Sequence, residues 1–355
     1  MAWMGTHNVT ELKEFILLGI TDRPELQTPF FVLFLIIYMI SLLGNLGLII
    51  LTNIDSKLQT PMYFFLRHLA FIDLGYSTAV GPKALVNFIA DQNRIPYNWC
   101  ATQLTLFIFF IISELFILSA MAFDRYVAIC NPLLYPVIMS HRVCWLLVSI
   151  PYLYSAIISL ITTVKIFTSS FCGNNVIIHF YCDSLPLLTL VCSTTRGTEL
   201  FILMDSVFNL VSSLLIVLVS YVLILIAVLR MNSAEGRRKA FSTCGSHLTA
   251  VVILYGTLFF MYVQPSSSHS FDDDKMASVF YTLIIPMLNP LIYSLRNKEV
   301  KGALQRIFFF FFFPFCLQGY HLGLGSVPSL GIHCSWRPFF PPFFVVVVII
   351  VVVVG

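Results

Sequence analysis

Long stretches without a charged residue are the feature that most constrains this chain. Six stretches of 19 to 32 residues contain no Asp, Glu, Lys or Arg, and a helix needs about 20 largely apolar residues to cross a bilayer. They lie between Glu25 and Asp55, Arg94 and Glu114, Arg142 and Lys165, Asp205 and Arg230, Lys239 and Asp272, and Lys275 and Arg296. A seventh apolar stretch, from Met62 to Leu85, is interrupted by Arg67, Asp73 and Lys83. The pattern predicts seven membrane-spanning helices.

The composition agrees with an integral membrane protein. Of the 355 residues, 58% are hydrophobic and 10% are charged, whereas a soluble domain carries about 25% charged residues. The net charge of +3 is too small to indicate a nucleic-acid partner. The apolar stretches are too long for barrel strands and show no alternating pattern. We therefore predict an all-α membrane protein, a seven-transmembrane helix bundle embedded in a lipid bilayer.

The distribution of basic residues predicts the orientation of the bundle. Loops that would share the side of the C-terminus hold twelve Lys and Arg residues, and those on the side of the N-terminus hold seven. Since cytoplasmic loops carry the excess, the N-terminus is expected outside and the C-terminus in the cytoplasm. Asn8, in the only N-x-S/T sequon of the chain, lies on the outer side and is predicted to be glycosylated.

Four of the nine cysteines fall on this outer side, where disulfides form. They are Cys100, Cys172, Cys182 and Cys192. Four cysteines allow three connectivities, and their spacing does not choose among them.

Polar residues inside the predicted spans are candidate functional residues. Asp73 and Glu114 lie midway along the second and third spans, and Asn45 and Asn289 lie in the first and seventh. The two carboxylates predict an ion or proton site, such as one for sodium. The alternative is a hydrogen-bonded cluster that only holds the helices together.

Two short motifs lie at the membrane boundaries. Asp124-Arg125-Tyr126 ends the third span on the predicted cytoplasmic side, and the segment 289–293, Asn-Pro-Leu-Ile-Tyr, places a proline inside the seventh. That proline frees a backbone carbonyl and kinks the helix, with Asn289 as a local hydrogen-bonding partner. Either motif alone is a weak indication of function. Together, in a chain of seven predicted spans, they strongly indicate membership of a particular family of membrane proteins.

These features resemble those of rhodopsin-like G-protein-coupled receptors, and within them the odorant (olfactory) receptors. The resemblance runs from about residue 8 to residue 306. It is carried by LQTPMYFFLRHLAFIDL (58–74), MAFDRYVAICNPLLYPVIMS (121–140), FCGNNVIIHFYCDSLPLLTLVCS (171–193), Ser220-Tyr221, RRKAFSTCGSHLTAVV (237–252) and PMLNPLIYSLRNKEVKGAL (286–304).

The resemblance implies a function. The family detects small, mostly apolar volatile molecules and activates the heterotrimeric stimulatory olfactory G protein, which raises cyclic AMP. It implies a multi-pass protein of the plasma membrane, expected in the cilia of olfactory neurons. It implies no enzymatic activity and no cofactor other than a candidate allosteric sodium ion.

The resemblance also assigns roles to individual residues. It implies disulfides Cys100–Cys182 and Cys172–Cys192, and a sodium site of Asn45, Asp73, Glu114 and Asn289. Arg125 would be held by Asp124 at rest and released on activation, with Tyr221 and Tyr293 as its partners in the active state. The implied set for coupling and activation is Asp124, Arg125, Tyr126, Tyr221, Lys239, His247, Asn289, Pro290 and Tyr293.

By position, the odorant pocket would draw on the third, fifth, sixth and seventh spans. The candidate residues are Phe107, Ile108, Ile111, Ile112, Asp205, Ser206, Asn209, Tyr255, Phe259, Tyr262, Val279 and Thr282. A mostly apolar cavity with a few polar anchors suits a small hydrophobic ligand, and a buried acid at Asp205 could select alcohols or amines. Each of these residues could instead only pack the helices together.

The C-terminal tail departs from the family pattern. The expected division is an extracellular N-terminus at 1–28, the receptor domain with a short cytoplasmic helix at its end at 29–306, and a low-complexity tail at 307–355. The tail holds runs of Phe and Val too short to span a bilayer, and we interpret it as a reading frame that has run past its true end. The alternative is a membrane-lying anchor.

Two other interpretations of the whole chain stay open. The tail could make it a misfolded or non-signalling receptor product. A membrane transporter is the other class, although the inverted repeats typical of transporters are not found in the sequence.

Overall fold

The computed structural model describes residues 13–21, 23–90, 93–171, 175–192, 195–263, 271–296, 299–300 and 302–303. Within these ranges, the backbone alone is described at 239, 242–243, 260–263, 271–274 and 294–296. Asn8, Cys172 and the tail from 307 onward lie outside these ranges, so the predictions made for them stay predictions.

Seven long helices make up most of the described chain. They are α1 (Pro24–Ile54), α2 (Pro61–Asn87), α3 (Tyr97–Cys130), α4 (His141–Phe167), α5 (Arg196–Leu229), α6 (Ala234–Val263) and α7, which joins Phe271–Val279, the π-helical Phe280–Ile284 and Ile285–Arg296. Within the described residues, five are long and apolar enough to cross a membrane: α1, α3, α4, α5 and the Lys275–Tyr293 part of α7. The other two, α2 and α6, are similar in length. The predicted helical architecture is confirmed.

The less apolar α2 accommodates its charged residues by contacts inside the bundle. The Arg67 guanidinium donates from Nη2 to the carbonyl oxygen of Thr52 at 2.6 Å and from Nε to Thr52 Oγ1 at 3.3 Å. Asp73 is buried. These contacts explain why a continuous helix forms where the sequence shows an interrupted apolar stretch.

Helix α3 lies at the centre of the bundle. In its most apolar stretch 67% of the residues are buried, against 28% for α1, 22% for α4 and 28% for α5. It packs against α2, α4 and α5, and its Phe110 ring lies where a side chain at Gly75 of α2 would begin, 2.1 Å from an ideal Cβ. Only glycine allows α2 and α3 to approach this closely. The outer helices leave many apolar side chains exposed, as a bilayer requires.

A small sheet closes one end of the bundle, which we call the disulfide end. Its strands are β1 (Glu14–Leu17), β2 (Arg94–Pro96) and β3 (Val176–Ile177), in the order β2-β1-β3. Strand β1 runs antiparallel to β2 and parallel to β3. Phe15 and Leu17 of β1 are fully buried in an apolar cluster with Cys100 and Cys182. No pattern in the sequence predicted this sheet.

The disulfides lie at the same end. Cys100 at the start of α3 is bonded to Cys182 in the segment before α5, with the two Cα atoms 5.6 Å apart, so this pairing is confirmed. Cys192 is also disulfide-bonded. Because Cys172 lies outside the described residues, its pairing with Cys192 stays a prediction.

The opposite end, which we call the Arg125 end, is closed by short helical segments. They are a 3₁₀ turn at Ser56–Leu58 and a helix at Tyr135–Ile138. The free cysteines of the described chain are Cys130, Cys144 and Cys244, all on helices near this end. The described cysteines therefore divide between the two ends as the sequence predicts.

Candidate functional site

A cavity of about 270 Å³ lies inside the bundle between α3 and α5. Most of its lining is aliphatic or aromatic, with a polar corner on α5. Seven of the residues proposed from the sequence line it: Phe107, Ile108, Ile111, Ile112, Asp205, Ser206 and Asn209. They share a cavity because α3 and α5 pack directly against each other.

Four other candidate residues do not line this cavity. Phe259 has 63% of its surface exposed on the outside of α6, whereas Tyr255 and Val279 are buried among the helices. Thr282 is buried and donates from Oγ1 to the carbonyl oxygen of Ser278 at 2.7 Å. The cavity reaches α6 only at Leu258, among the described residues. The side chain of Tyr262 lies outside the described part of the chain.

The structure adds lining residues that sequence reasoning missed. Tyr281 faces the cavity where Thr282 was proposed, because the π-helical segment Phe280–Ile284 has a wider turn and shifts the register of α7. Asp183 and Ser184 reach the cavity from the segment before α5. No helical periodicity could have placed these two, since their position depends on the Cys100–Cys182 bond.

The polar corner is an ordered hydrogen-bonded group. Tyr154 Oη donates to Asp205 Oδ1, and Asn209 Nδ2 donates to Asp205 Oδ2, both at 2.9 Å. Both carboxylate oxygens therefore already have protein partners. Asn209 is 3% exposed, and its Oδ1 is buried without a hydrogen-bond partner.

A chain of hydrogen bonds ties the cavity wall to the segment at the disulfide end. His179 Nε2 lies 3.1 Å from Ser278 Oγ, Ser278 Oγ lies 2.9 Å from Tyr281 Oη, and Tyr281 Oη lies 2.7 Å from Tyr181 Oη. Burial, reinforced by nearby Lys275, lowers the pKa of His179 to about 3, so the ring is neutral. The segment is thus bonded to Tyr281, which lines the cavity.

The buried carboxylates lie deeper in the bundle. Asn289 Nδ2 lies 3.2 Å from Asp73 Oδ1 and 3.0 Å from Oδ2, and Glu114 is near enough to Asp73 to interact electrostatically. Asn45 instead donates from Nδ2 to the carbonyl oxygen of Pro286 at 2.9 Å. Glu114 Oε1 and Asn45 Oδ1 are buried without hydrogen-bond partners, and oxygen atoms are the ligands that hard cations take.

The Asp124-Arg125-Tyr126 motif forms a compact group at the Arg125 end. Arg125 Nη2 lies 3.4 Å from Asp124 Oδ2. The short helix contributes Tyr135, whose hydroxyl donates to Asp124 Oδ1 at 2.7 Å. Tyr126 packs against the apolar cluster that Ile224 and Val228 of α5 form with Ala240 and Cys244 of α6. Asp124 is thus hydrogen-bonded through Oδ1 to Tyr135 and ion-paired through Oδ2 with Arg125.

A second pair connects α5 and α6 at this end. Tyr221 Oη and His247 Nδ1 are 2.7 Å apart, and His247 Nε2 lies 3.0 Å from the carbonyl oxygen of Leu118 in α3. Because a carbonyl only accepts, Nε2 carries the hydrogen and Nδ1 accepts from Tyr221. Tyr293 is buried, and its hydroxyl has no hydrogen-bond partner. The side chain of Lys239 is not described.

Pro290 lies where α7 meets α1. A Cβ atom at Gly44 would lie 3.0 Å from Pro290 Cγ, so glycine permits the close packing of the proline ring against α1.

Comparison with known proteins places these features in a family. The sequence profile described as Olfactory receptor matches residues 34–310. Olfactory receptor 8K3 of Homo sapiens is 71% identical over 303 residues, which cover 85% of this chain and 97% of that protein. Olfactory receptor 8K5 of Homo sapiens is 66% identical over 305 residues, 86% of this chain and 99% of that protein.

Among solved structures, the crystal structure of squid rhodopsin has the same fold. It superimposes with a TM-score of 0.63 over 85% of this chain and 89% of its own, at 17% sequence identity. The likeness confirms the predicted seven-helix bundle.

Proposed function

The chain belongs to the olfactory receptor family, and from that premise we propose that it binds small volatile molecules in the cavity between α3 and α5 and activates the stimulatory olfactory G protein. Receptors of this family are multi-pass membrane proteins and are not enzymes. The cavity itself carries the ligand proposal, because an apolar space with one polar corner inside a helix bundle suits a small hydrophobic molecule. The family membership favours a receptor over a transporter.

The polar corner indicates the class of odorant. Asp205 fixes the orientation of the Asn209 amide, since Nδ2 must face the carboxylate and Oδ1 must face away. A buried acceptor without a partner costs about 1–3 kcal/mol, and a ligand that donates a hydrogen bond to Asn209 Oδ1 would remove this cost. Asp205 and Tyr154 then act as positioning residues. The receptor is expected to prefer alcohols to ethers of the same shape.

The orientation of the chain follows from the same proposal. The disulfide end faces the outside, where cysteines oxidise, and the Arg125 end faces the cytoplasm. Asn8 would then be available for glycosylation. The family implies the plasma membrane of olfactory cilia as the location.

Activation is proposed as a shift between two packings of the bundle. An odorant that binds the active packing better stabilises it by the difference in affinity. At rest Asp124 holds Arg125, and in the active packing Arg125 would move to Tyr221 and Tyr293. His247 would release Tyr221, the α6 end near Lys239 would move outward, and the kink at Asn289 and Pro290 would let α7 follow.

The buried carboxylates are proposed as an allosteric sodium site. Asp73 and Glu114 would supply charged oxygens, and Asn45 and Asn289 would lie beside them. Two carboxylates at one depth repel each other when both are ionised. A cation held there would stabilise the resting packing.

The ligand proposal is tested with matched odorants. Cells carrying the stimulatory olfactory G protein are given 1-heptanol and methyl hexyl ether, which have the same number of heavy atoms, within a broader panel of volatile molecules. We expect the alcohol to act at about tenfold lower concentration, and Asn209→Leu to abolish this difference. Asn53→Leu, at an exposed site far from the cavity, is the matched control and should leave the difference intact.

Two outcomes would contradict these proposals. If Asn209→Leu keeps the preference for the alcohol, Asn209 is not the acceptor. If odorant-evoked cyclic AMP survives unchanged in an Arg125→Ala variant with normal surface expression, the role given to Arg125 is wrong.

The tail supports a second candidate, a receptor product that does not signal. The family match ends at residue 310, and the tail consists largely of apolar runs prone to aggregate. The full chain is compared with a version ending at Arg306 for surface staining and cyclic AMP. A response from the shorter version alone would favour this candidate, and equal responses would exclude it. If both reach the surface and neither responds to any odorant, the odorant proposal fails.

A further inference from the structure

A second cavity, of about 440 Å³, lies at the disulfide end outside the helix bundle proper. Its walls come from the chain after β1, the last turns of α2 and the segment around Phe180. We call the cavity between α3 and α5 the odorant cavity. The described linings of the two cavities have no residue in common. Tyr181 separates the two, since its ring packs on Phe180 of one wall and on Phe107 of the other, at 4.9 and 5.0 Å between centroids. We call this space the outer cavity.

Two asparagine side chains give the outer cavity unsatisfied acceptors. Asn87 is 8% exposed, and its Nδ2 lies 3.4 Å from the carbonyl oxygen of Phe180. This contact sets the orientation of the amide, because the reverse would bring two oxygens together. Its Oδ1 is left buried without a partner, as is Oδ1 of Asn93, which precedes β2 and also lines the cavity. Buried polar atoms in proteins are normally paired.

The described charges around the outer cavity do not favour a cationic ligand. No described residue of its lining is acidic, and Arg94 forms an ion pair with Glu14. Lys83 donates from Nζ to the carbonyl oxygen of Arg94 at 2.7 Å, and Lys275 donates from Nζ to that of Gly19 at 3.3 Å. Among the described side chains at the cavity, the excess charge is therefore positive. The two buried asparagine atoms without partners are acceptors, which bind donor groups and not anions.

The remaining lining combines apolar side chains with the polar Thr21 and Gln27. Ala84, Phe88 and Phe180 present carbon surface next to the two amides. The volume lies within the range of about 300–1,000 Å³ that is typical of small-molecule sites. An aromatic or alkyl group could lie against this surface while a donor group faces Asn87 and Asn93.

We propose that the outer cavity is a second small-molecule site, which takes neutral molecules with an apolar body and N–H or O–H donors at one end. The donors bond to Oδ1 of Asn87 and Asn93. The site is distinct from the odorant cavity, and the proposal does not depend on the ligand class proposed there.

Benzamide is a suitable probe, because it has an aromatic ring and two N–H donors. Methyl benzoate has the same ring and carbonyl without a donor. The full-length receptor in lipid nanodiscs is titrated with each, and saturation-transfer NMR measures binding. We expect saturable binding of benzamide and at least fivefold weaker binding of methyl benzoate.

Variants locate the bound probe. Asn87→Leu and Asn93→Leu remove the acceptors, and Ala84→Leu reduces the volume of the cavity while keeping both asparagines. Each variant should weaken benzamide binding about tenfold. Asn98→Leu, at an exposed position of the same end, and Asn209→Leu, in the odorant cavity, should leave it unchanged. Thermal unfolding of each variant confirms that it is folded.

Three results would overturn the proposal. These are the absence of saturable benzamide binding, binding that survives all three variants of the outer cavity, and binding lost in Asn209→Leu. The last would assign the probe to the odorant cavity.

Discussion

The two ends of the helix bundle are held together by different kinds of bond. At the disulfide end, a covalent bond joins α3 to the segment before α5, and backbone hydrogen bonds of a three-stranded sheet join that segment to the N-terminal strand. At the Arg125 end, side-chain contacts join the helices, such as Tyr135 to Asp124 and Tyr221 to His247. Single side-chain hydrogen bonds contribute about 1 kcal/mol each.

This difference indicates where the receptor can change shape. Disulfide and sheet cannot exchange partners without local unfolding, so the walls near the odorant cavity stay in place. Side chains at the Arg125 end can exchange partners at small cost, and Tyr293 has a buried hydroxyl with no hydrogen-bond partner that could accept such an exchange. The same architecture that fixes the proposed ligand site thus leaves the opposite end adjustable.

Breaking the covalent bond should have the largest effect. Cys100 and Cys182 are 82 residues apart, and a loop of this length stabilises the folded chain by about 4.5 kcal/mol in the chain-entropy model. Cys100→Ser should abolish surface expression or lower it more than tenfold, measured by antibody staining of intact cells. Cys130→Ser, a free cysteine near the Arg125 end, is the control. Normal expression of Cys100→Ser would show that the sheet alone holds the disulfide end.

Truncating the buried side chain of Phe15 in the sheet should have the second largest effect. Phe15 is fully buried and packs against the rings of Tyr97, Phe167 and Phe171. Truncating a buried Phe costs about 3–5 kcal/mol, so Phe15→Ala should destabilise the purified receptor by about 3 kcal/mol in thermal unfolding. Phe241→Ala, 57% exposed on α6, should have little effect. Equal losses from both variants would mean that β1 contributes no specific stability.

Acidification should weaken the disulfide end through His179. Burial, with a contribution from Lys275, lowers the pKa of His179 to about 3, against about 6.5 in the unfolded chain. Between these values only the unfolded chain takes up the proton, so stability falls as the pH falls. From pH 7 to pH 5 the loss is about 2 kcal/mol. His179→Gln should remove this part of the pH dependence of unfolding, and an unchanged slope in the variant would contradict the assignment.

The sequence predicted the helices well because a bilayer imposes a simple requirement on length and charge. It did not predict the sheet, since strands as short as Val176–Ile177 carry no local signal and exist only through pairing with distant segments. Within the helices, depth along the span was predictable, and the choice of partner was not. Asn45 and Asn289 were both expected beside Asp73, yet only Asn289 bonds to it, and Asn45 bonds across to Pro286.

The odorant cavity shows the same limit. Residues on the facing sides of α3 and α5 were found by position, because regular helices keep their register. On α7 the π-helical turn replaced Thr282 by Tyr281, and on α6 the proposed Phe259 faces outward. The sequence also gave no indication that both oxygens of Asp205 are bonded, one to Tyr154 and the other to Asn209. The hydrogen-bond partners that the fold brings together determine which polar atom stays available to a ligand.

The smallest predicted effect comes from removing one side-chain hydrogen bond at the Arg125 end. Tyr135→Phe removes the hydrogen bond to Asp124 Oδ1, which helps to orient the carboxylate that holds Arg125. A loss of about 1 kcal/mol shifts the balance of resting and active packings about fivefold, so basal cyclic AMP should rise by up to that factor. Tyr152→Phe, whose hydroxyl contacts His68 at 3.3 Å instead, is the control.

Surface expression of both tyrosine variants is measured in parallel, so that basal signal is compared per receptor. A rise with Tyr135→Phe alone would show that a single side-chain contact sets the resting balance at this end, in contrast to the covalent bond opposite. Unchanged basal signal, with normal expression, would mean that the Asp124–Arg125 pair holds without Tyr135. The Arg125 end would then be less adjustable than its contacts indicate, and the difference between the two ends would rest on the disulfide and the sheet.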